Sequence, residues 1–171
     1  MPTKCNSGIL EIDNLSVSYK NRTIFSNASF AAARGDIIAV TGRNGSGKSA
    51  FLRVLCGLMK EKAGRIVFDG KPYPYKKRRE LCYMTMQDVV HQLFSDSVWE
   101  EFSLLNKTVD EQEITKILRR LDLLDYKDKH PMTLSGGQKQ RLALAVATLA
   151  NKDIMIFDEP TKGIDIGAKA D

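Results

Sequence analysis

Apolar residues recur in three rhythms along these 171 residues. From Ile9 to Tyr19 they alternate loosely, at Ile9, Ile12, Leu15, Val17 and Tyr19, and Asn21-Arg22 separates that stretch from Ile24 to Ala32. The pattern predicts two strands joined by a short turn. Ile37-Ile38-Ala39-Val40 and Ile154-Met155-Ile156-Phe157 are continuous apolar runs. Such runs suit strands covered on both faces, as in a parallel sheet. Arg65 to Asp69, closed by the turn dipeptide Asp69-Gly70, and Leu81 to Met86 are further strand candidates. Helical spacing governs the rest. Lys48 to Leu58 carries Phe51, Leu52, Leu55 and Leu58 on one face, with Gly57 near its end. Ile114, Ile117, Leu118, Leu121 and Leu124 follow Thr108-Val109-Asp110-Glu111, which fits a capping box. A third helix runs from Gly136 to about Ala150. Its Leu142 to Ala147 stretch is apolar on most faces, so burial is expected there.

Length suits one domain, residues 1–171, with a sizeable core. Its helical part is expected at about 95–135. At 43% hydrophobic and 27% charged residues the composition is globular, which excludes a disordered chain. No apolar run approaches the roughly 20 residues that cross a bilayer, so any membrane role passes through a partner. Met1 to Ser7 has no apolar h-region, which argues against secretion. Cys5, Cys56 and Cys82 show neither zinc spacing nor a disulfide framework, and a reducing cytosol is the simple reading. His91 and His130 stand apart from each other and from the cysteines, so no metal cluster is expected of them. Part of the net charge of +5 comes from Lys76-Lys77-Arg78-Arg79 after the Pro72-Tyr73-Pro74 turn. Without a motif, that run reads as a solvated surface segment, and no nucleic-acid partner is expected.

Three segments carry chemistry. Gly42, Arg43, Asn44, Gly45, Ser46, Gly47, Lys48 and Ser49, followed by Ala50, fit the phosphate-binding loop pattern. Its glycines let backbone N–H groups converge on phosphate oxygens. The following helix points its positive end at the same oxygens. Lys48 brings a charge to the β- and γ-phosphates, and Ser49 a hydroxyl to Mg²⁺. The run Ile154 to Phe157 ends in Asp158-Glu159. A carboxylate at a strand's C-terminal end sits where open α/β sheets place ligands, so Asp158 is expected to hold Mg²⁺. Glu159 is expected to orient or deprotonate an attacking water. Leu134-Ser135-Gly136-Gly137-Gln138 contains a Ser-x-x-Gln capping box whose glycines leave a helix start open to phosphate. One ATP is already served by Gly42 to Ser49. A second phosphate-binding helix start therefore implies ATP shared between two subunits.

Taken in chain order, the segments resemble the nucleotide-binding cassette of the ABC ATPase superfamily over residues 8–171. Gly42 to Ser49 is similar to its Walker A, Leu134 to Gln138 to its signature, and Ile154 to Glu159 to its Walker B with catalytic glutamate. The resemblance implies an α/β P-loop NTPase fold of the ABC type. An antiparallel β subdomain comes first, with a mostly parallel core sheet and a helical signature subdomain. It also implies that Gln87 contacts Mg²⁺ and senses a membrane partner, that Tyr19 stacks on adenine, and that Thr161 to Asp165 form the D-loop. A strand-end core tyrosine is the other reading of Tyr19. Gln87 to Phe94, with Ser97 to Glu101 after it, resembles the energy-coupling-factor branch, the ATPases of bacterial vitamin and metal-ion importers. There the segment after Gln87 docks a coupling helix, a task expected of Leu93 and Phe94.

The functional expectation is an ATPase using ATP and Mg²⁺. It would pair with a second cassette, as homo- or heterodimer, and bind a transmembrane permease on the inner face of the cell membrane. The family's last core strand and switch histidine have no counterpart up to Asp171, so an incomplete domain is expected. That leaves two alternatives: a nucleotide-binding remnant without turnover, and, ranked last, a non-transport ABC protein.

Overall fold

The computed structural model describes residues 10–20, 22–105 and 109–159. It divides into two units, the first ending at Cys82 and the second opening at Tyr83.

In the first unit the loose alternation becomes β1 (Leu10–Tyr19) and β2 (Arg22–Ala32), paired antiparallel with Leu10 opposite Ala32 and Tyr19 opposite Arg22. β3 (Ala63–Phe68) lies antiparallel on the other side of β1, and β4 (Lys71–Pro72) turns back along β3. The sheet order is β2-β1-β3-β4. Asp69 and Gly70 both have positive φ, at 51° and 73°, as a two-residue hairpin turn of matching twist requires. One face of β1 and β3 is buried, through Leu10, Ile12, Leu15, Val17, Ile66 and Phe68. α1 (Lys48–Leu55) sets Phe51 against Phe25 and Phe30 of β2, each pair of ring centroids 5.9 Å apart.

The strand expected at Ile37 to Val40 does not form: the segment has no strand structure, and Ile37 is 99% exposed. A strand exists only through a ladder with a neighbour, and neither sheet among the described residues includes this run. Ile38, Ala39 and Val40 instead line an open pocket of about 400 Å³ with Phe25, Phe30 and Phe51.

The basic run also departs from expectation. Lys76, Lys77 and Arg79 are exposed, but Arg78, at the start of α2 (Arg78–Leu81), is only 2% exposed. Its guanidinium grips both carboxylate oxygens of Glu61 at 2.8 Å and donates to the carbonyls of Tyr73 and Val54. A buried charge demands such pairing, because uncompensated burial is costly. Burial alone would raise the Glu61 carboxyl's pKa. The Arg78 hydrogen bond, with help from Glu61's own backbone and the Arg78 and Lys60 charges, reverses this and holds it below the ordinary value.

β5 (Cys82–Thr85), all but its first residue in the second unit, pairs with β6 (Ile154–Phe157) in a separate two-stranded sheet. Of the second apolar run only Ile156 is buried, while Met155 is exposed. α3 (Glu111–Arg120) and α4 (Gly136–Leu149) enclose an apolar cluster containing Leu93, Val98, Phe102, Leu118, Leu123 and Leu142. α3 is capped by Asp110, whose side chain accepts from the Gln112 amide; Thr108, the expected cap, lies outside the described residues. Aspartate's short carboxylate serves the cap two residues closer to the apolar face.

Candidate nucleotide site

The phosphate loop belongs to the first unit. α1 starts after Gly47, whose φ of 98° is left-handed and which supplies no side-chain cap. Glycine is forced here twice over, since a Cβ at Gly47 would also lie 2.6 Å from Ile24 Cγ2. The first turn of α1 therefore has backbone N–H groups that no cap side chain at Gly47 satisfies. Lys48 Nζ donates to the carbonyls of Gly42, at 2.8 Å, and Arg43, at 3.1 Å. The cation is thus held over the loop. Gly42 to Ser46 are exposed, and Gly47 to Ala50 are half-buried. Tyr19, at the end of β1, is 58% exposed with Lys20 Nζ 5.6 Å from its ring centre, so the core reading of this tyrosine is excluded.

The second unit holds the other candidates. β6 delivers Asp158, whose amide donates to the Thr85 carbonyl at 3.0 Å at the end of β5. The Asp158 residue is nearly buried, and Glu159 beyond it is exposed with a left-handed φ of 52°. That conformation costs a non-glycine residue about 1 kcal/mol or more and recurs at functional positions. Gln87 is exposed, two residues past β5. The Thr85 hydroxyl, buried just before it, has no hydrogen-bond partner among the described residues.

The signature segment folds as its sequence predicts. Ser135 Oγ accepts from the Gln138 amide, and Gln138 Oε1 accepts from the Ser135 amide at 2.8 Å, a reciprocal capping box. A Cβ added at Gly136 would meet nothing within 4 Å. Pro160 and the D-loop candidates Thr161 to Asp165 lie outside the described residues.

The docking candidates separate. Phe94 is 74% exposed, whereas Leu93 is buried in the helical cluster and is not available to a partner. Alternation along the extended chain at this point sends the two side chains opposite ways.

Three supports were not visible in sequence. Glu101 is buried and accepts from the Ser95 amide at 2.8 Å, fixing the loop that presents Phe94. Burial outweighs its hydrogen bonds and the His130 charge, and raises its carboxyl pKa. His130 Nδ1 accepts from the Met132 amide just before the signature, and Arg141 Nε donates to the Leu121 carbonyl, tying α4 to the end of α3. Glu101 offered no distinct signal, since Glu100 beside it carries the same charge.

A strand-free glycine loop opening a helix, with its lysine folded over it, defines the P-loop class of phosphate-binding proteins. The profile of the ABC transporter family matches residues 25–162, and the chain belongs to that family. A Treponema denticola relative, whose name places it among ABC transporter ATP-binding proteins, is 50% identical over 155 residues. The match covers 91% of this chain and 32% of that protein. The energy-coupling factor transporter ATP-binding protein EcfA1 of Fusobacterium nucleatum is 35% identical, across 94% of this chain and 65% of its own length. Among solved structures, cbiO1 of Clostridium perfringens, part of the ABC transporter complex cbiONQ, is 33% identical with a TM-score of 0.78. That match covers 91% of this chain and 67% of the other. The chain thus spans from about a third to about two thirds of these relatives, and its fold is that of the ABC ATPase cassette.

Proposed function

We propose that this chain is the ATP-binding and ATP-hydrolysing part of an ABC transporter of the energy-coupling-factor type. Its similarity to EcfA1 and to cbiO1 supports the branch. The observation that carries the reading is the start of α4. Gly136 is the first residue of α4, and among the described residues a Cβ there would meet nothing within 4 Å. A glycine there keeps the helix start open to a ligand. A phosphate presented by a second cassette fits, since the helix dipole and exposed first-turn amides favour an anion.

The remaining roles follow from chemistry. The Gly42 to Ser49 amides cradle the phosphates, and Lys48 exchanges its contacts with the loop carbonyls for phosphate oxygens. Tyr19 offers an exposed face to the adenine. Ser49, Asp158 and Gln87 supply oxygen donors, the kind that hard Mg²⁺ accepts. When bound, Mg²⁺ neutralises charge on the β- and γ-phosphates. Glu159 orients a water and takes its proton. Ser135, Gly136, Gly137 and Gln138 close on the nucleotide of the partner cassette, and Phe94 contacts a transmembrane permease at the inner face of the membrane.

Thermal unfolding with and without Mg-ATP tests the core of this reading. At 100 times its dissociation constant, ATP should stabilise the chain by about 2.7 kcal/mol. Lys48→Ala should erase that gain. An equal gain in the variant would refute the phosphate-loop role.

A further inference from the structure

The geometry points to Gln92 as a positioning residue that fixes Gln87 for its work at the nucleotide-bound Mg²⁺. The inference rests on the reading above and adds a residue to its site.

β5 ends at Thr85, and Gln87 follows after one residue. The Gln92 side-chain amide bridges that interval. Its Oε1 accepts from the Met86 amide at 2.7 Å, and its Nε2 donates to the Met84 carbonyl at 2.8 Å. Met86 N–H can only donate and Met84 C=O can only accept, so the two backbone partners dictate the orientation of the amide group. Gln92 thereby does what a neighbouring strand would do, making both bonds of a ladder step. Thr85, between the two, turns its carbonyl to the opposite edge, where the Asp158 amide donates to it at 3.0 Å. The end of β5 is therefore held from both edges, by the backbone of the proposed Mg²⁺ ligand Asp158 and by the side chain of Gln92.

The rest of the turn explains why Gln92 can hold this position. Asp88 Oδ1 accepts from the Val90 amide at 3.1 Å, shaping the single helical turn Val89–Gln92. Val89 and Leu93 are buried on either side of it. Gln87 is left as an exposed residue between a clamped Met86 and a capping Asp88. Its backbone has little room to wander, and its side chain is the part that remains adjustable.

A glutamine that merely stabilises a turn would alter melting alone. A positioning residue alters how Mg²⁺ is used, so ATP binding should be titrated with Mg²⁺ on the full chain. Gln92→Ala should raise the half-saturating Mg²⁺ concentration about tenfold, the scale of lost outer-shell support, while Mg²⁺-free ATP affinity stays unchanged. Gln87→Ala should do the same, and the double variant should be no worse than Gln87→Ala alone. Gln92→Glu keeps the acceptor for Met86 and should fall between, a guard against a variant that fails to fold. In parallel, hydrogen exchange should show the Met86 amide protected in the unmodified chain and exposed in Gln92→Ala. An unchanged Mg²⁺ midpoint, additive effects in the double variant, or unaltered Met86 exchange would each overturn the inference. Absence of ATP binding by the unmodified chain would instead remove the nucleotide reading itself, a result recognisable because Met86 exchange needs no ligand.

Discussion

α1 follows Gly47, which lies in the left-handed region and gives the helix no capping side chain. α4 follows Ser135, whose hydroxyl and partner Gln138 complete a reciprocal cap. The opposite ends differ too. α1 is gripped near its C-terminus, where Arg78 donates to the Val54 carbonyl. The last turn of α4 carries no basic residue. So one helix is fastened at its tail and keeps its head for a ligand, while the other is fastened at its head by its own side chains. The first start has no cap side chain of its own and leaves room for an anion. The second is complete as a fold before any anion arrives, and only its glycine betrays a second use.

The sharpest way to break this contrast is to release the tail of α1. Arg78→Met strands the Glu61 carboxylate, and breaking a buried pair typically costs about 3–5 kcal/mol. Urea unfolding should show the loss at neutral pH. It should shrink on acidification, because the Glu61 pKa is lowered in the fold. Its stabilisation is present above the ordinary carboxylate pKa and disappears as pH falls through the lowered value. A loss independent of pH would mean the pair is not what holds α1.

Gly47→Ala comes next. Left-handed strain and the approach to Ile24 should together cost about 2–3 kcal/mol, read from the same unfolding curves. A neutral result would show that the loop relaxes freely and stores no strain. Ser135→Ala removes a conventional cap and should cost about 1 kcal/mol, with ATP affinity of the single chain intact. Gly136→Ala is the smallest effect and has the opposite sign. It should stabilise the fold by only about a few tenths of a kcal/mol, yet weaken ATP-dependent pairing of cassettes in sedimentation. Stabilisation with unimpaired pairing would leave Gly136 without a purpose.

Local signals were legible in sequence where a segment needs only itself. The capping box at Ser135 and Gln138, the glycine loop before Lys48 and the Asp69-Gly70 turn all appear as read, because each is decided within a few residues. Signals that need a distant partner were not. Ile37 to Val40 reads as a strand by composition but has no neighbour in the sheet. Arg78 looks like its three basic neighbours until Glu61, 17 residues earlier in the chain, is placed beside it. Leu93 and Phe94 are both apolar, and only the packing of the helical cluster says which one faces inward. Gln92 stands out in no sequence pattern because its bonds go to main-chain atoms, which any sequence supplies.

Ile37, Ile38 and Val40 stand exposed directly before the phosphate loop. Short β-branched segments without charge are the templates on which chains stack edge to edge. Stacking there would bury the approach to Gly42. If chains did stack there, ATP occupancy would fall as protein concentration rises and return on dilution. Ile38→Lys would then act as a gatekeeper and flatten that dependence, measured by ATP binding across a dilution series.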